Sequence, residues 1–513
     1  MDDLQLRSRR YHRGTSNNKK WLSRFNWLLF IVQMVLIAYV LFIAISNRLL
    51  LFNKTTYILL AIIGVTVLIQ LILLVLKKLK IVVLILLLVS NSVLGFAVVK
   101  STEVINLFNT FSRTQNISEV AMSVVVLKDS PITSLDQLKG KVVQAPLSMD
   151  KDNITALTND IQTKTKQTLT LTEVESYYTA YLNLLAGKTD AIVLNNAFES
   201  VIKSQFPDLN DKIRRVYEFK KQEVVQLPRR ATTNQKTDVF NVYLSGIDTY
   251  GAITEESRSD VNIIMTVNTK TKQILLSTTP RDAFVPIADG GRNQRDKLTH
   301  AGVYGVDTSM HTLENLYGIH MDYFVRINFT TFMQMVDIVG GVTVDNAYAF
   351  QSTTVPDVYI PAGKQTLNAY NALAYVRERY NLDDGDVGRA AHQQEVITAL
   401  FKKLLSPVLL TNSGQIINQL ANSAQTNMKL ETISTILNNY LESGSDPGYT
   451  IHSQALNVEG EIRTDSYAMP GYELWMGIVD EDSLETVKEN IKRVEQGKEP
   501  IIQQQNLDTK QGE

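Results

Sequence analysis

Three blocks near the amino terminus constrain this chain before anything else does. Trp27–Ser46, Tyr57–Leu76 and Ile81–Val99 are almost wholly apolar and nearly uncharged. Each approaches the roughly 20 residues that a helix needs to cross a bilayer core. No amphipathic period interrupts them, as it would in a helix lying on a soluble core. They predict three membrane spans over residues 27–99. A cleaved leader fits the first block poorly, because it is long, lacks a small-residue cleavage site and is followed by two more.

The flanking charges predict the orientation. Arg7, Arg9, Arg10, Arg13, Lys19, Lys20 and Arg24 precede the first block, and Lys77, Lys78 and Lys80 lie between the second and third. The intervening loop carries Arg48 and Lys54. Positive residues gather on the cytoplasmic side. Residues 1–26 are therefore expected inside the cell, and everything after Val99 outside.

A chain of 513 residues has room for more than one domain beyond the spans. It has no cysteine, which removes disulfides, thiolate metal sites and cysteine nucleophiles. The formal net charge is −1, so there is no basic surplus for nucleic acid, and an outside location argues further against that partner.

Past the spans, Lys100 to about Asn116 reads as a polar amphipathic stalk. AMSVVVL reads as a strand. SPITSLDQLKGKVVQAP reads as a turn, a short helix capped at Ser134 and a strand ending at Pro146. TAYLNLLAGKTDAIVLNN reads as a helix, a turn and a buried strand. This βα alternation predicts a small α/β accessory domain over residues 100–230, similar to the half-units of extracellular solute-binding folds, with no ligand assigned. The polar, Pro228-containing run KKQEVVQLPRRATTNQKTDVF marks a boundary. A second α/β domain is expected over 238–500. NIIMTVN and QILLSTTP form a hairpin around Thr269–Lys272, and MDYFVRINFTTFMQMVDIVGGVTVDN reads strand, helix, Gly-Gly turn, strand. ITALFKKLLSPVLL is helical up to Pro407, and residues 501–513 read as a disordered tail.

Among chemical motifs, a Walker phosphate loop, a Gly-x-Ser-x-Gly elbow and a His-Glu-x-x-His pair are all missing. What remains is a set of aspartates and arginines at the ends of expected strands. Asp248 follows the strand VYLSGI, at the carboxyl end where α/β sheets place functional groups. Asp260 stands in SRSD just before VNIIMTVN. The two either cap turns, as aspartate commonly does, or converge to hold a divalent cation such as Mg2+. Arg281 follows STTP. Arg377 and Arg379 flank Glu378; on a strand they share one face and form a fork suited to phosphate oxygens. Arg389 and Gln393 are one helical turn apart on a helix expected from near Gly388, whose amino terminus favours an anion. The alternative for each arginine is a surface ion pair, with the DDGD run at 383–386 a candidate partner or simply a solvated turn. Lys297 is a further phosphate candidate.

The phrases NVYLSGIDTYG, RSDVNIIMTVN, LLSTTPRDAFVPI, FMQMVDIVGGVTVD, AGKQTLNAYNALAYVRER and DVGRAAHQQEVI, in this order, resemble the LytR-CpsA-Psr family of extracytoplasmic phosphotransferases. Three spans followed by an accessory domain resemble its capsular-polysaccharide branch. The resemblance implies an α/β/α sandwich with a central mixed sheet and an apolar tunnel for a lipid tail. It implies transfer of a capsular polysaccharide from a polyprenyl-pyrophosphate carrier to a peptidoglycan hydroxyl, leaving a phosphodiester. Asp248 and Asp260 would serve Mg2+, and Arg281, Arg377, Arg379, Arg389 and Gln393 the pyrophosphate. Capsule-export and tyrosine-kinase machinery are implied partners. Where some relatives carry another basic residue after the first arginine motif, AFVPI stands here. A non-catalytic regulator of capsule assembly and a lipid pyrophosphatase are the competing readings.

Overall fold

The computed structural model describes residues 2–46, 54–114, 117–224, 238–249, 253, 256–355, 357–382, 385–404, 424–428 and 449–502. The chain divides into two compact units, one holding the amino-terminal helices and the other both α/β sheets.

The first unit contains α1 (Asp2–Ser46), α2 (Lys54–Val75) and α3 (Lys80–Thr114). Within them Lys20–Ser46, Tyr57–Val75 and Lys80–Thr102 are long and apolar enough to cross a membrane. The expected stalk is a helical continuation of α3 to Thr114. Phe30, Leu74, Val83 and Leu87 pack together. Gln70 donates to Ser90 Oγ at 3.1 Å, and Asn91 to the Leu29 carbonyl at 3.2 Å. Amides are costly in hydrocarbon, so pairing them across helices is how such a bundle accommodates them.

The accessory sheet is built from β1 (Ile117–Leu127), β2 (Val142–Ala145), β3 (Thr170–Glu173), β4 (Ala191–Asn195) and β5 (Ile213–Val224), in the order β3-β2-β4-β1-β5. Helices α4 (Lys151–Thr165) and α5 (Tyr177–Leu185) cover it, and two short helices, α6 (Glu199–Lys203) and α7 (Leu209–Lys212), precede β5. Ser134 caps a short 3-10 helix through a reciprocal box with Gln137, as its position in the sequence suggests.

The larger sheet joins β6 (Val239–Ile247), β7 (Ser259–Asn268) and β8 (Gln273–Thr278) as antiparallel neighbours. Past these come the short pair β9 (Phe284–Pro286) and β10 (Arg295–Lys297), then α8 (Val306–Tyr317), β11 (Tyr323–Asn328) and α9 (Phe329–Ile338). Strands β12 (Val342–Asn346), β13 (Phe350–Gln351), β14 (Tyr359–Ile360) and β15 (Gly363–Leu367) form small ribbons before α10 (Ala369–Arg377) and α11 (Asp386–Leu404). The chain finishes with β16 (Ala424–Thr426), β17 (Thr450–Ala455), β18 (Val458–Arg463), β19 (Leu474–Val479) and α12 (Glu481–Glu495). The sheet order is β16-β11-β6-β7-β8-β17, with β11-β6 and β8-β17 parallel, so the sheet is mixed.

Helices pack on both sheet faces. Alternation along β11 sends Phe324 to one face, where α8 and α12 bury Leu313, Val487 and Ile491. It sends Ile327 to the other, against a core built by α9, α10 and α11. A third core runs from the accessory sheet into the larger fold: Phe284, Val303, Met469, Leu474 and Met476 pack with Leu138, Tyr178 and Phe198. Tyr472 donates to Gln205 at 2.7 Å and meets Tyr178 edge-on, so the accessory sheet is fixed to its neighbour by apolar burial.

The reading of Arg377 and Arg379 as a strand-borne fork is incorrect. Arg377 ends α10, Glu378 leaves it in extended backbone, and Arg379 follows outside helix and strand. The deciding signal is Asn368, whose side chain accepts from the Asn371 N–H at 2.9 Å and starts the helix. Ala369, Ala372 and Leu373 then recur at helical spacing on the buried face. Asp383, Asp384, Pro407 and residues 503–513 lie outside the described residues.

Candidate functional site

The site gathers where β6 and β8 end and β7 begins, beside α10 and α11. Asp248 follows the last residue of β6, as the sequence suggests. Asp260 lies inside β7 rather than before it, and a bulge sets its direction. Gly246 pairs with Val261 and Ile247 with Ser259, which leaves Asp260 as the extra residue between them. A bulge of this kind re-aims one side chain out of the sheet's alternation. Gly246 is required there, because a Cβ would stand 2.9 Å from the Val261 side chain.

The re-aimed Asp260 carboxylate accepts from Arg281 Nη1 on one oxygen and from Thr299 Oγ1 at 3.0 Å on the other. Burial works against its charge, but the guanidiniums of Arg281, Arg258 and Arg389 outweigh that and hold its pKa below the usual carboxylate value. Arg389, on α11, thus acts on Asp260 through its charge. Asp282, whose side chain is 2% exposed, takes Lys297 Nζ at 2.6 Å and lies 3.6 Å from Arg281 Nε. Burial again opposes ionisation, and Arg281, Lys297 and Arg379 drive the pKa well down.

Asp248 accepts from Arg258 Nη2 at 3.1 Å, and Arg377 Nη2 stands 4.0 Å from its other oxygen. The Arg377 guanidinium also lies 4.3 Å above the Phe329 ring at the start of α9. A planar cation stacked on an aromatic face holds its orientation while its donor edge stays available.

Glu378 explains how two arginines emerge from a helix end without disorder. It is fully buried and accepts from the N–H groups of Thr353, Arg379 and Asn381 at 2.6, 3.0 and 3.1 Å. Burial disfavours its charge, yet these N–H groups dominate and lower its pKa. Gln393 is buried and donates its amide to the Val376 carbonyl at 3.3 Å, which ties α11 to the end of α10.

The structure thus brings Asp248, Asp260, Arg281 and Arg377 together, with the charges of Arg379 and Arg389 acting on the same group of carboxylates, while Gln393 braces the end of α10. Lys297 enters through Asp282. Sequence reasoning missed Arg258, which pairs with Asp248 and whose charge also favours ionised Asp260, although it stands in the quoted SRSD. It also missed Glu378, whose flanking charges disguised a buried cap. Among the described residues no group of three His, Asp or Glu side chains is arranged for a metal. Two aspartates with phosphate oxygens completing the shell are a donor set that suits Mg2+. Here arginines satisfy both carboxylates, so a cation and an anion would have to exchange partners with them together.

The LytR_cpsA_psr family model matches residues 207–493, which hold every residue of this cluster. A DNA polymerase processivity factor model matches residues 77–194, a stretch that includes the membrane-length part of α3. The polyisoprenyl-teichoic acid–peptidoglycan teichoic acid transferase TagU of Oceanobacillus iheyensis is 30% identical over 264 residues, spanning 50% of this chain and 76% of its own. TagT of Bacillus subtilis, which bears the same transferase name, is 32% identical over 264 residues, spanning 49% and 76%. The crystal structure of B. subtilis TagT superposes over 53% of this chain and 97% of its own, at 27% identity and a TM-score of 0.41. On the family model and these sequence relatives, the chain belongs to the LytR-CpsA-Psr family.

Proposed function

We propose that this protein is a membrane-anchored transferase that moves a glycopolymer from a polyprenyl-pyrophosphate carrier to a peptidoglycan hydroxyl, and that the glycopolymer is a capsular polysaccharide. The observation that carries the reading is the convergence of Arg258, Arg281, Arg377, Arg379 and Arg389 on the carboxylates of Asp248, Asp260 and Asp282. Guanidinium forks suit bidentate phosphate oxygens, and phosphoryl transfer depends chiefly on positioning and charge neutralisation. The transferase names of TagU and TagT agree with that class of reaction. The cluster opens outside the cell, with residues 1–26 inside, in keeping with the basic flanks of the apolar helices.

In this scheme the acceptor oxygen forms a bond to the sugar-proximal phosphorus, and the bond to the bridging oxygen breaks, releasing polyprenyl phosphate. The acceptor's proton passes to an aspartate. Arg281 keeps Asp260 ionised; when Arg281 turns to the phosphate, the carboxylate oxygen it leaves is open to the acceptor's hydroxyl. Mg2+, bound by Asp248 and Asp260, would supply charge neutralisation at the pyrophosphate oxygens.

The test is an Arg377→Ala, Arg379→Ala double variant expressed in place of the native protein. Polymer should appear in the medium instead of on the wall. Normal anchoring by that variant would sink the proposal. For the metal, calorimetric Mg2+ binding in the presence of a polyprenyl pyrophosphate should be lost in Asp248→Asn.

A further inference from the structure

The accessory sheet has no role in the scheme above, yet it borders the cluster. Between them lies a cleft of about 710 Å3. Asp248, Thr249 and Arg258 line one side of it, and Asn196, Ser200 and Glu218 stand on the accessory side. Asp248 and Arg258 thus face both the phosphate cluster and this space.

The lining chemistry selects among occupants. Its apolar members, Val120, Ala121 and Ala197, are small and offer an isoprenoid little surface. Among the described lining residues Lys203 and Arg215 pair with Glu199, Lys220 with Glu119 and Arg258 with Asp248, and Glu218 and Glu256 add further carboxylates, so the cleft lacks the cationic surplus that a second polyphosphate would need. Hydroxyl and amide groups, with carboxylates and cations interspersed, suit a ligand that both donates and accepts along its length. Sugar rings have that character. The accessory wall is also held in place, since its core is continuous with that of the larger fold.

We propose that this cleft is a saccharide subsite, and that the accessory domain supplies one wall of it next to the transferred phosphate. This rests on the transferase reading. The occupant is a sugar unit of either the lipid-linked donor or the peptidoglycan acceptor.

The experiment uses the full chain in nanodiscs with three probes: farnesyl pyrophosphate, its N-acetylglucosamine adduct, and a soluble peptidoglycan disaccharide-peptide. Ser200→Trp on α6 and Glu218→Trp on β5 would fill the cleft from two elements of the accessory side, neither of which carries a residue of the phosphate cluster. Each should bind farnesyl pyrophosphate as the parent does, and lose on the order of tenfold in affinity for a sugar-bearing probe, the equivalent of about 1.4 kcal/mol. Loss on the adduct assigns the cleft to the donor, and loss on the peptidoglycan fragment assigns it to the acceptor. In the unmodified chain, the same probe should slow amide exchange in residues 196–204 and 213–224, whereas farnesyl pyrophosphate alone should not. If both variants keep parental affinity for every sugar-bearing probe, or those amides stay unchanged, the subsite is wrong and the transferase reading stands. If the unmodified chain fails to bind farnesyl pyrophosphate, the transferase reading falls and the subsite with it.

Discussion

Replacing Glu378 with glutamine tests how the arginine pair is held. The change keeps shape and removes charge. One Glu378 oxygen accepts from Arg379 N, Asn381 N and Thr353 Oγ1, and the other from Thr353 N at 2.6 Å. Whichever way the amide is turned, its NH2 meets a backbone N–H, so one buried donor is left without an acceptor. Hydrogen bonds to a charged group contribute roughly 1.5–3 kcal/mol each, and an unsatisfied buried donor costs about 1–3 kcal/mol more. These terms overlap, so a net loss on the order of 3 kcal/mol is expected. The pH dependence separates this from generic damage. The folded-state pKa of Glu378 lies below its unfolded value of 4.5, so the carboxylate's contribution is complete above 4.5 and is lost as pH falls through the folded value. Urea unfolding of the full chain in detergent, read from pH 7 down to about 3, should therefore show a parent–variant gap that is widest at neutral pH and shrinks in acid. Binding of farnesyl pyrophosphate at pH 7 should weaken as well, because Arg377 and Arg379 lose their fixed exit from α10. A gap of constant size across the range, or none, would refute the argument.

Other consequences follow from the same geometry. Arg281→Ala strips the main cation from Asp260 and one of three from Asp282; it should cost about 2–4 kcal/mol and raise both carboxylate pKa values in a 13C titration. Asp307, in the first turn of α8, is pushed up to about 6 by burial, and its Oδ1 has no hydrogen-bond partner. Its neutral form is favoured on folding, so stability is present below the unfolded value of 3.8 and lost as pH rises through about 6. Asp307→Asn should accordingly stabilise by up to roughly 3 kcal/mol at pH 7.5 and not at pH 3.5, in thermal melts at the two values. Gly302→Ala would set a Cβ 2.5 Å from the Ser257 carbonyl oxygen; destabilisation of about 2 kcal/mol and weaker pyrophosphate binding should appear together, since the displaced segment before β7 carries Arg258.

The main elements and most of the cluster were legible because their signals are local. An uninterrupted apolar run, a hairpin's alternation and the Asn-free Gly-Gly turn after α9 each act within a few residues. The Arg377–Arg379 segment misled for the same reason. Read in isolation, alternating charges suggest a strand, whereas Asn368, nine residues before Arg377, had already committed the backbone to a helix. Glu378 looked like a solvated charge between two others, and its burial comes from Thr353, far away in sequence. Arg258 was overlooked because one basic residue in a short polar stretch carries no local signal of convergence.

Sequence alone determined the three membrane-length helices, the two α/β patterns and the family motifs with their aspartates and arginines, because hydropathy, periodicity and residue type are properties of short segments. Tertiary structure decided the rest. A bulge opposite Gly246 turned Asp260 toward Arg281, a buried carboxylate fixed how Arg377 and Arg379 leave α10, and a shared apolar core set the accessory sheet beside Asp248. Each depends on groups brought together from distant parts of the chain, where electrostatic and packing energies act through space rather than along the sequence.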